Sequence, residues 1–110
     1  MSTSRATIPP SVREWADAAI ARFNETTIRD PDRYYVGRYR GRFLYLDRLS
    51  YGIRSQVSRL TYTGDKEQWD FAIYKYSDEA YDPEEWLFPG SEHVNGTIEG
   101  AMRAGLEAYP

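Results

Sequence analysis

The sequence predicts an α+β fold: an N-terminal helix, a four-stranded antiparallel meander, a short helix, and a C-terminal helix packed on the sheet. Three observations lead to this class. Apolar residues recur at helical spacing near both ends, apolar and polar residues alternate in the middle, and only short turn segments separate the alternating stretches. Consecutive strands with short links pair antiparallel, because parallel strands need a long crossover.

The N-terminal part divides into a predicted flexible tail, residues 1–10, and the start of a single domain that covers residues 11–110. Ser11 with Glu14 has the spacing of a capping box, which predicts that the first helix begins there and runs to about residue 27. The apolar stripe of this helix comprises Val12, Trp15, Ala16, Ala19, Ile20 and Phe23. The chain of 110 residues has the size of one ordinary domain, with enough residues for a core of its own.

The predicted strands cover residues 34–39, 42–49, 56–63 and 69–76. The first two flank Arg40-Gly41 and allow two registers. In the favoured register the loop is Tyr39-Arg40-Gly41. The aliphatic residues Val36, Leu44 and Leu46 then share the core face, and Tyr35, Gly37, Phe43 and Tyr45 share the other. A loop of Arg40-Gly41 alone would turn the second strand over and mix these two sets.

Two helices are predicted after the sheet. Asp82-Pro83-Glu84-Glu85 combines a cap residue, a proline and early acids, and therefore predicts a short helix that ends at Pro89-Gly90. The last helix is predicted at about residues 96–108, with an apolar stripe rich in small residues.

The sheet face away from the predicted core is too rich in aromatic side chains for a plain solvated surface. We therefore expect it to be covered by the Trp86-Leu87-Phe88 segment, by a second copy of the chain, or by a ligand. The candidate binding residues are the rings and arginines predicted near this face, together with Trp86: Tyr35, Arg38, Arg40, Arg42, Phe43, Tyr45, Arg59, Tyr74 and Trp86. The leading hypothesis is a non-catalytic module that binds a protein partner or forms a homodimer.

The charge pattern bears on an alternative, single-stranded nucleic acid. Residues 29–59 contain eight arginines and three aspartates, a balance of +5, whereas residues 65–110 balance at −8. Rings in the Tyr/Arg-rich hairpin could stack bases while its arginines contact phosphates. We expect some of the C-terminal acids to neutralise these arginines, so the sequence favours a protein partner over nucleic acid.

A further alternative is a small-ligand enzyme with a pocket between the sheet and the Trp86 segment, in which His93 is the general base. No recognisable catalytic triad spacing or phosphate-binding loop supports it, so the interpretation leans away from an enzyme. The absence of cysteine and the single histidine exclude disulfides, cysteine-ligated metals and multi-histidine sites, and no cofactor or metal is predicted. The sequence shows no secretory signal or membrane-spanning stretch, so the expected location is cytoplasmic.

Three aromatic motifs carry a family resemblance. They are Gly37-x-Tyr39-x-Gly41, Arg59-Leu60-Thr61-Tyr62 and Trp69-Asp70-Phe71-Ala72-x-Tyr74, followed by Tyr81 before a predicted helix. Over residues 33–108 the chain thereby resembles a family of short bacterial proteins described only as a domain of unknown function. The resemblance implies a compact bacterial α+β domain and carries over no active site. This chain is more acidic after its last predicted strand than the family pattern.

Overall fold

The computed structural model describes residues 7–110 and has two helices on one face of an antiparallel sheet. The helices are α1 (Pro10–Phe23), which continues into a π-helical turn (Asn24–Ile28), and α2 (Ile98–Ala108), which follows a 3-10 turn (Ser91–His93). The strands are β1 (Arg33–Arg40), β2 (Phe43–Ser50), β3 (Ile53–Tyr62), β4 (Trp69–Lys75) and β5 (Ala80–Asp82). They are adjacent in chain order, so the predicted α+β class and antiparallel meander are confirmed, with five strands instead of four.

The chain joins the fold earlier than predicted. Ile8 is buried, and its backbone N–H donates to the Gly41 carbonyl at 3.1 Å, so residues 7–10 are not a tail. The predicted tail residues 1–6 lie outside the described part of the chain. The capping box is wrong as well, since α1 begins at Pro10 without a side-chain cap. Proline suits this first helical position because its missing N–H would have no partner there.

The segment between the sheet and α2 corrects the predicted short helix. The Asp82 carboxylate accepts the backbone N–H of Glu84 at 2.9 Å, which closes a local turn and competes with a helix start. Residues 83–90 form turns and bends, while Ala80–Asp82 adds the fifth strand. The predicted last helix is confirmed from Ile98, where the Thr97 hydroxyl accepts the N–H of Gly100 at 3.0 Å.

The register of β1 and β2 differs from the favoured prediction. Arg40 pairs with Phe43, so Gly41-Arg42 forms a two-residue turn, and Gly41 has a φ of 61°. A type II′ hairpin turn needs such a positive φ at its first central position, which glycine adopts without strain. The side chains of β1 and β2 face as in the alternative register, which mixes the two predicted sets. The observed loop is Gly41-Arg42, one residue later than the Arg40-Gly41 loop of that alternative. Tyr35 therefore lies on the helix side, and Val36 lies on the opposite side.

The core lies between this side of the sheet and the two helices. The Tyr35 hydroxyl donates to the Met102 carbonyl of α2 at 2.8 Å, and the Tyr39 hydroxyl donates to Asp17 of α1 at 2.6 Å. A β-bulge between β2 and β3 leaves Val57 without a partner in the register, and Val57 is buried against α2. Ile20, Phe23, Leu60 and Phe71 are buried in this core, and Trp15 and Leu106 pack at its edge.

Candidate functional site

The sheet surface opposite α1 and α2 collects arginines and aromatic rings, and we call it the Tyr/Arg face. Strand alternation and register place on it Arg38, Arg40, Phe43, Tyr45, Asp47, Arg54, Gln56, Arg59, Asp70, Tyr74 and Tyr81. Within residues 7–110 neither helix packs against this face, because both lie on the side of Tyr35 and Gly37. The segment that contains Trp86 lies on the helix side too, with the Trp86 ring 6.2 Å from that of Phe71.

A buried carboxylate fixes part of this face. The Asp47 side chain is 1% exposed and accepts from Arg38 Nε at 2.8 Å and from Arg54 Nη1 at 3.3 Å. The hydrogen bond to Asp47 raises the pKa of the Arg38 guanidinium above its ordinary value. The two arginines remain 41% and 51% exposed, so they compensate the buried charge while still offering guanidinium groups to solvent.

The guanidinium groups lie on aromatic rings. The Cζ atom of Arg38 is 4.5 Å from the centroid of the Tyr45 ring, and that of Arg59 is 4.8 Å from the Phe43 centroid. Arg59 also lies 5.5 Å from the Tyr81 centroid. These are cation–π distances, so each ring attracts and orients the arginine beside it.

A row of rings continues from the hairpin across the sheet. The centroids of Tyr45 and Tyr81 are 5.3 Å apart, those of Tyr81 and Tyr74 are 4.9 Å apart, and those of Tyr74 and Tyr76 are 4.7 Å apart. Gln56 donates to the Tyr81 hydroxyl at 3.3 Å, and burial raises the pKa of that hydroxyl. These tilted and edge-on contacts have the geometries that aromatic pairs favour, so the rings form one continuous cluster on the face.

A depression at the turn of the β1–β2 hairpin has a volume of 560 Å³. It is lined by Arg40, Gly41, Arg42, Phe43 and Tyr45. Four of these five residues are candidate binding residues from the sequence, and the turn brings them together. A concave, cationic and aromatic surface of this kind can receive an anionic group beside an apolar one.

The remaining candidate binding residues lie on both sides of the sheet. Arg38, Arg59 and Tyr74 share the Tyr/Arg face with Arg40, Phe43 and Tyr45, whereas Arg42 lies in the adjoining turn. Tyr35 does not, since it is 1% exposed in the core, and its assignment to the other face is wrong. Trp86 is on the helix side of the sheet, so it does not cover the Tyr/Arg face.

Sequence reasoning missed two central members of the face. Asp47 follows Tyr45 by two positions on β2, and strand alternation alone could have placed it there. Tyr81 was missed because its segment was interpreted as the approach to a helix and not as a strand.

The expected neutralisation of arginines by C-terminal acids is wrong for Arg38 and Arg54, whose partner is Asp47 of the basic segment. The described ion pairs of the acidic half lie elsewhere. Lys75 pairs with Glu85 at 3.0 Å, Arg103 with Glu99 at 2.8 Å and His93 with Glu107 at 2.8 Å. Glu99 and Glu107 are on α2, so these two acids lie on the far side of the sheet from the Tyr/Arg face.

His93 lines a different cavity, of 530 Å³, between α1 and the start of α2, together with Glu92, Glu99 and Arg103. Its Nε2 atom is 2.8 Å from a Glu107 oxygen and 3.9 Å from a Glu92 oxygen, and these three groups are close enough to share a cation. The predicted enzyme pocket between the sheet and the Trp86 segment corresponds to another cavity, of 440 Å³, which is lined by residues that include Lys75, Tyr76, Glu85 and Phe88. His93 does not line it, so the two parts of the enzyme hypothesis lie apart.

The described residues contain no helix with the length and apolarity required to span a membrane. Comparison with known proteins finds no matching family model, no similar curated protein and no similar solved structure. The resemblance to a domain of unknown function therefore stays a prediction.

Proposed function

We propose that the protein is a non-catalytic interaction module whose Tyr/Arg face binds an acidic segment of a partner protein. One observation carries the proposal: a sheet face that neither helix of residues 7–110 covers presents guanidinium groups beside aromatic rings, as in the Arg38–Tyr45 pair at 4.5 Å. Tyrosine and arginine are the residue types enriched at the energetic centres of protein interfaces. Arginines that are already ordered lose little conformational freedom when a carboxylate binds them.

Charge complementarity selects an acidic partner. The strands contribute four arginines to the face, Arg38, Arg40, Arg54 and Arg59, against Asp47 and Asp70. Carboxylates on a partner can form bidentate hydrogen bonds with these guanidinium groups.

A second copy of the chain fits less well. A symmetric dimer through the same face would bring two identical patches of net positive charge together, which is electrostatically unfavourable.

Single-stranded nucleic acid is the second candidate, favoured by the location of Glu99 and Glu107 on the far side of the sheet. The objection is steric. Stacking a base on Phe43 or Tyr45 needs a ring surface, and Arg59 and Arg38 lie against those rings at 4.8 and 4.5 Å. A base would have to displace Arg38 from its bond to Asp47, whereas a carboxylate can bind the guanidinium where it is.

The test is a titration of ¹⁵N-labelled protein with a short polyglutamate peptide and with single-stranded oligouridylate RNA, at low and at physiological ionic strength. We expect the peptide to shift resonances of β1, β2 and Tyr81 and not those of α2. Arg40→Gln and Arg59→Gln should each weaken binding by about twofold to fivefold, as the loss of one partly exposed ion pair does. Arg103→Gln on α2 is the matched control and should leave the affinity unchanged.

The other outcomes have distinct meanings. RNA binding tighter than about 10 μM that weakens steeply with salt would replace the protein partner with nucleic acid. A concentration-dependent dimer whose interface maps to Phe43 and Tyr45 would assign the face to a second copy. Equal effects of the Arg40, Arg59 and Arg103 variants, or no binding of either probe, would contradict a binding role for this face.

A further inference from the structure

Arg48 is a buried cation on the helix side of the sheet, away from the Tyr/Arg face. It is 7% exposed, and its Nη2 atom donates to the Tyr109 carbonyl at 2.6 Å. Its guanidinium also lies 5.5 Å from the centroid of the Tyr35 ring. The Nη1 atom is buried and has no hydrogen-bond partner in the described part of the chain.

Arg48 forms no ion pair with a side chain of residues 7–110. None of the described ion pairs includes Arg48, and the neighbouring carboxylate of Asp47 faces the other side of the sheet, where Arg38 and Arg54 hold it. The Tyr35 hydroxyl cannot supply a negative charge at neutral pH, because burial raises its pKa to about 12. Buried arginines are ordinarily paired with an acid, since an isolated charge is costly to remove from water.

A cavity of 270 Å³ adjoins this cation. Arg48 forms part of its wall, and the other lining residues are mainly polar or aromatic: Ser50, Ser55, Gln56, Val57, Tyr76, Tyr109 and Pro110. The hydroxyl groups of Ser50 and Ser55 can donate hydrogen bonds to a small ligand. The cavity thus places neutral donors beside an uncompensated guanidinium.

We propose that this cavity binds a small oxyanion, of the carboxylate or phosphate class, with Arg48 as its counterion. Two oxygen atoms of such an anion match the planar arrangement of the N–H donors of a guanidinium. A water molecule in the same place is uncharged and cannot neutralise the guanidinium. The site shares no arginine with the proposed partner surface, because Arg48 lies on the helix side of the sheet, and it meets the Tyr/Arg face only at Gln56 and Tyr76.

The test measures thermal unfolding of the whole chain in phosphate, acetate and chloride at matched ionic strength. We expect phosphate or acetate to raise the melting temperature saturably, by about 5–10 °C at ten times its dissociation constant. Arg48→Met should abolish this rise while folding normally, because an apolar side chain of similar volume replaces an uncompensated buried charge. Arg54→Gln, on the Tyr/Arg face, is the matched control and should keep the full rise.

A second measurement keeps the proposal testable if Arg48→Met does not fold. The side-chain Nε–H resonance of Arg48 in the unmodified protein should shift on addition of phosphate or acetate, and Ser55→Ala at the exposed side of the cavity should weaken that response severalfold. The proposal fails if chloride stabilises as much as the oxyanions, if Arg48→Met shows the same rise as the unmodified protein, or if the Arg48 resonance does not move.

Discussion

Removal of one hydroxyl group, in Tyr35→Phe, should change stability with opposite signs at neutral and at alkaline pH. The Tyr35 hydroxyl is buried and donates to the Met102 carbonyl of α2 at 2.8 Å, so its removal loses a hydrogen bond and leaves a buried acceptor without that donor. Such a loss costs about 1–2 kcal/mol of unfolding free energy. At pH 7 the variant should therefore be less stable than the unmodified protein by this amount.

The sign reverses because of the raised pKa of Tyr35. Burial raises the pKa from 10.0 to about 12 in the folded protein, so the neutral hydroxyl stabilises the fold fully below pH 10. As the pH rises from 10 to 12, the unfolded chain releases this proton first and the contribution is lost. A difference of two units between the pKa values in the folded and unfolded states corresponds to a loss of at most about 3 kcal/mol of unfolding free energy. Phenylalanine has no such proton, so Tyr35→Phe should be the more stable protein near pH 12.

Urea unfolding at several pH values between 7 and 12 measures both effects. The two stability curves should cross near pH 11. Tyr51→Phe is the control, because Tyr51 is 71% exposed and its curve should follow that of the unmodified protein. Parallel curves for Tyr35→Phe and the unmodified protein would refute the reasoning, and so would an unchanged stability at pH 7, which would place Tyr35 in solvent.

Three further substitutions test the core and the Tyr/Arg face. Phe71→Ala should cost about 3–5 kcal/mol in guanidinium unfolding, because Phe71 is 6% exposed and stacks on Phe88; a cost below 1 kcal/mol would mean that the phase of β4 is wrong. Gly105→Ala should destabilise by about 1–3 kcal/mol in the same assay, since the added methyl meets the Tyr35 hydroxyl; a gain in stability would mean that only helix propensity acts there. Asp47→Asn should cost about 1–3 kcal/mol in urea unfolding, because its two arginines lose a buried carboxylate; an unchanged midpoint would show that this ion pair is dispensable.

The sequence correctly predicted those elements whose own pattern of apolar residues determines which side is buried. In β4, Trp69, Phe71 and Ile73 alternate with Asp70, Ala72 and Tyr74, so one phase of the strand places the three large apolar residues together on the core side. The helical stripes of α1 and α2 are equally local, and both helices lie close to the predicted positions.

The conformation of the segment after β5 could not be predicted from its local sequence pattern. Asp82 followed by Pro83 and two glutamates begins either a helix or a short turn, because the same carboxylate can accept a backbone N–H in both. The choice depends on distant contacts: Trp86 and Phe88 pack against Phe71, with the Phe88 ring stacked at 6.0 Å. Those contacts favour the turns and bends of this segment, and the sequence pattern does not reveal them.

The register of the β1–β2 hairpin determines which residues form the candidate site. This register depends on a single turn. With Gly41 as the first central residue of that turn, Arg40 pairs with Phe43 and Arg38 with Tyr45, so each arginine has a ring beside it. The favoured register would have set Arg38 against Arg42, and two like charges directly opposite each other are unfavourable. The same shift turns Tyr35 into the core. The turn thus produces both the most buried tyrosine of β1 and the exposed pairing of rings with arginines, so core stability and the proposed binding face follow from one backbone geometry.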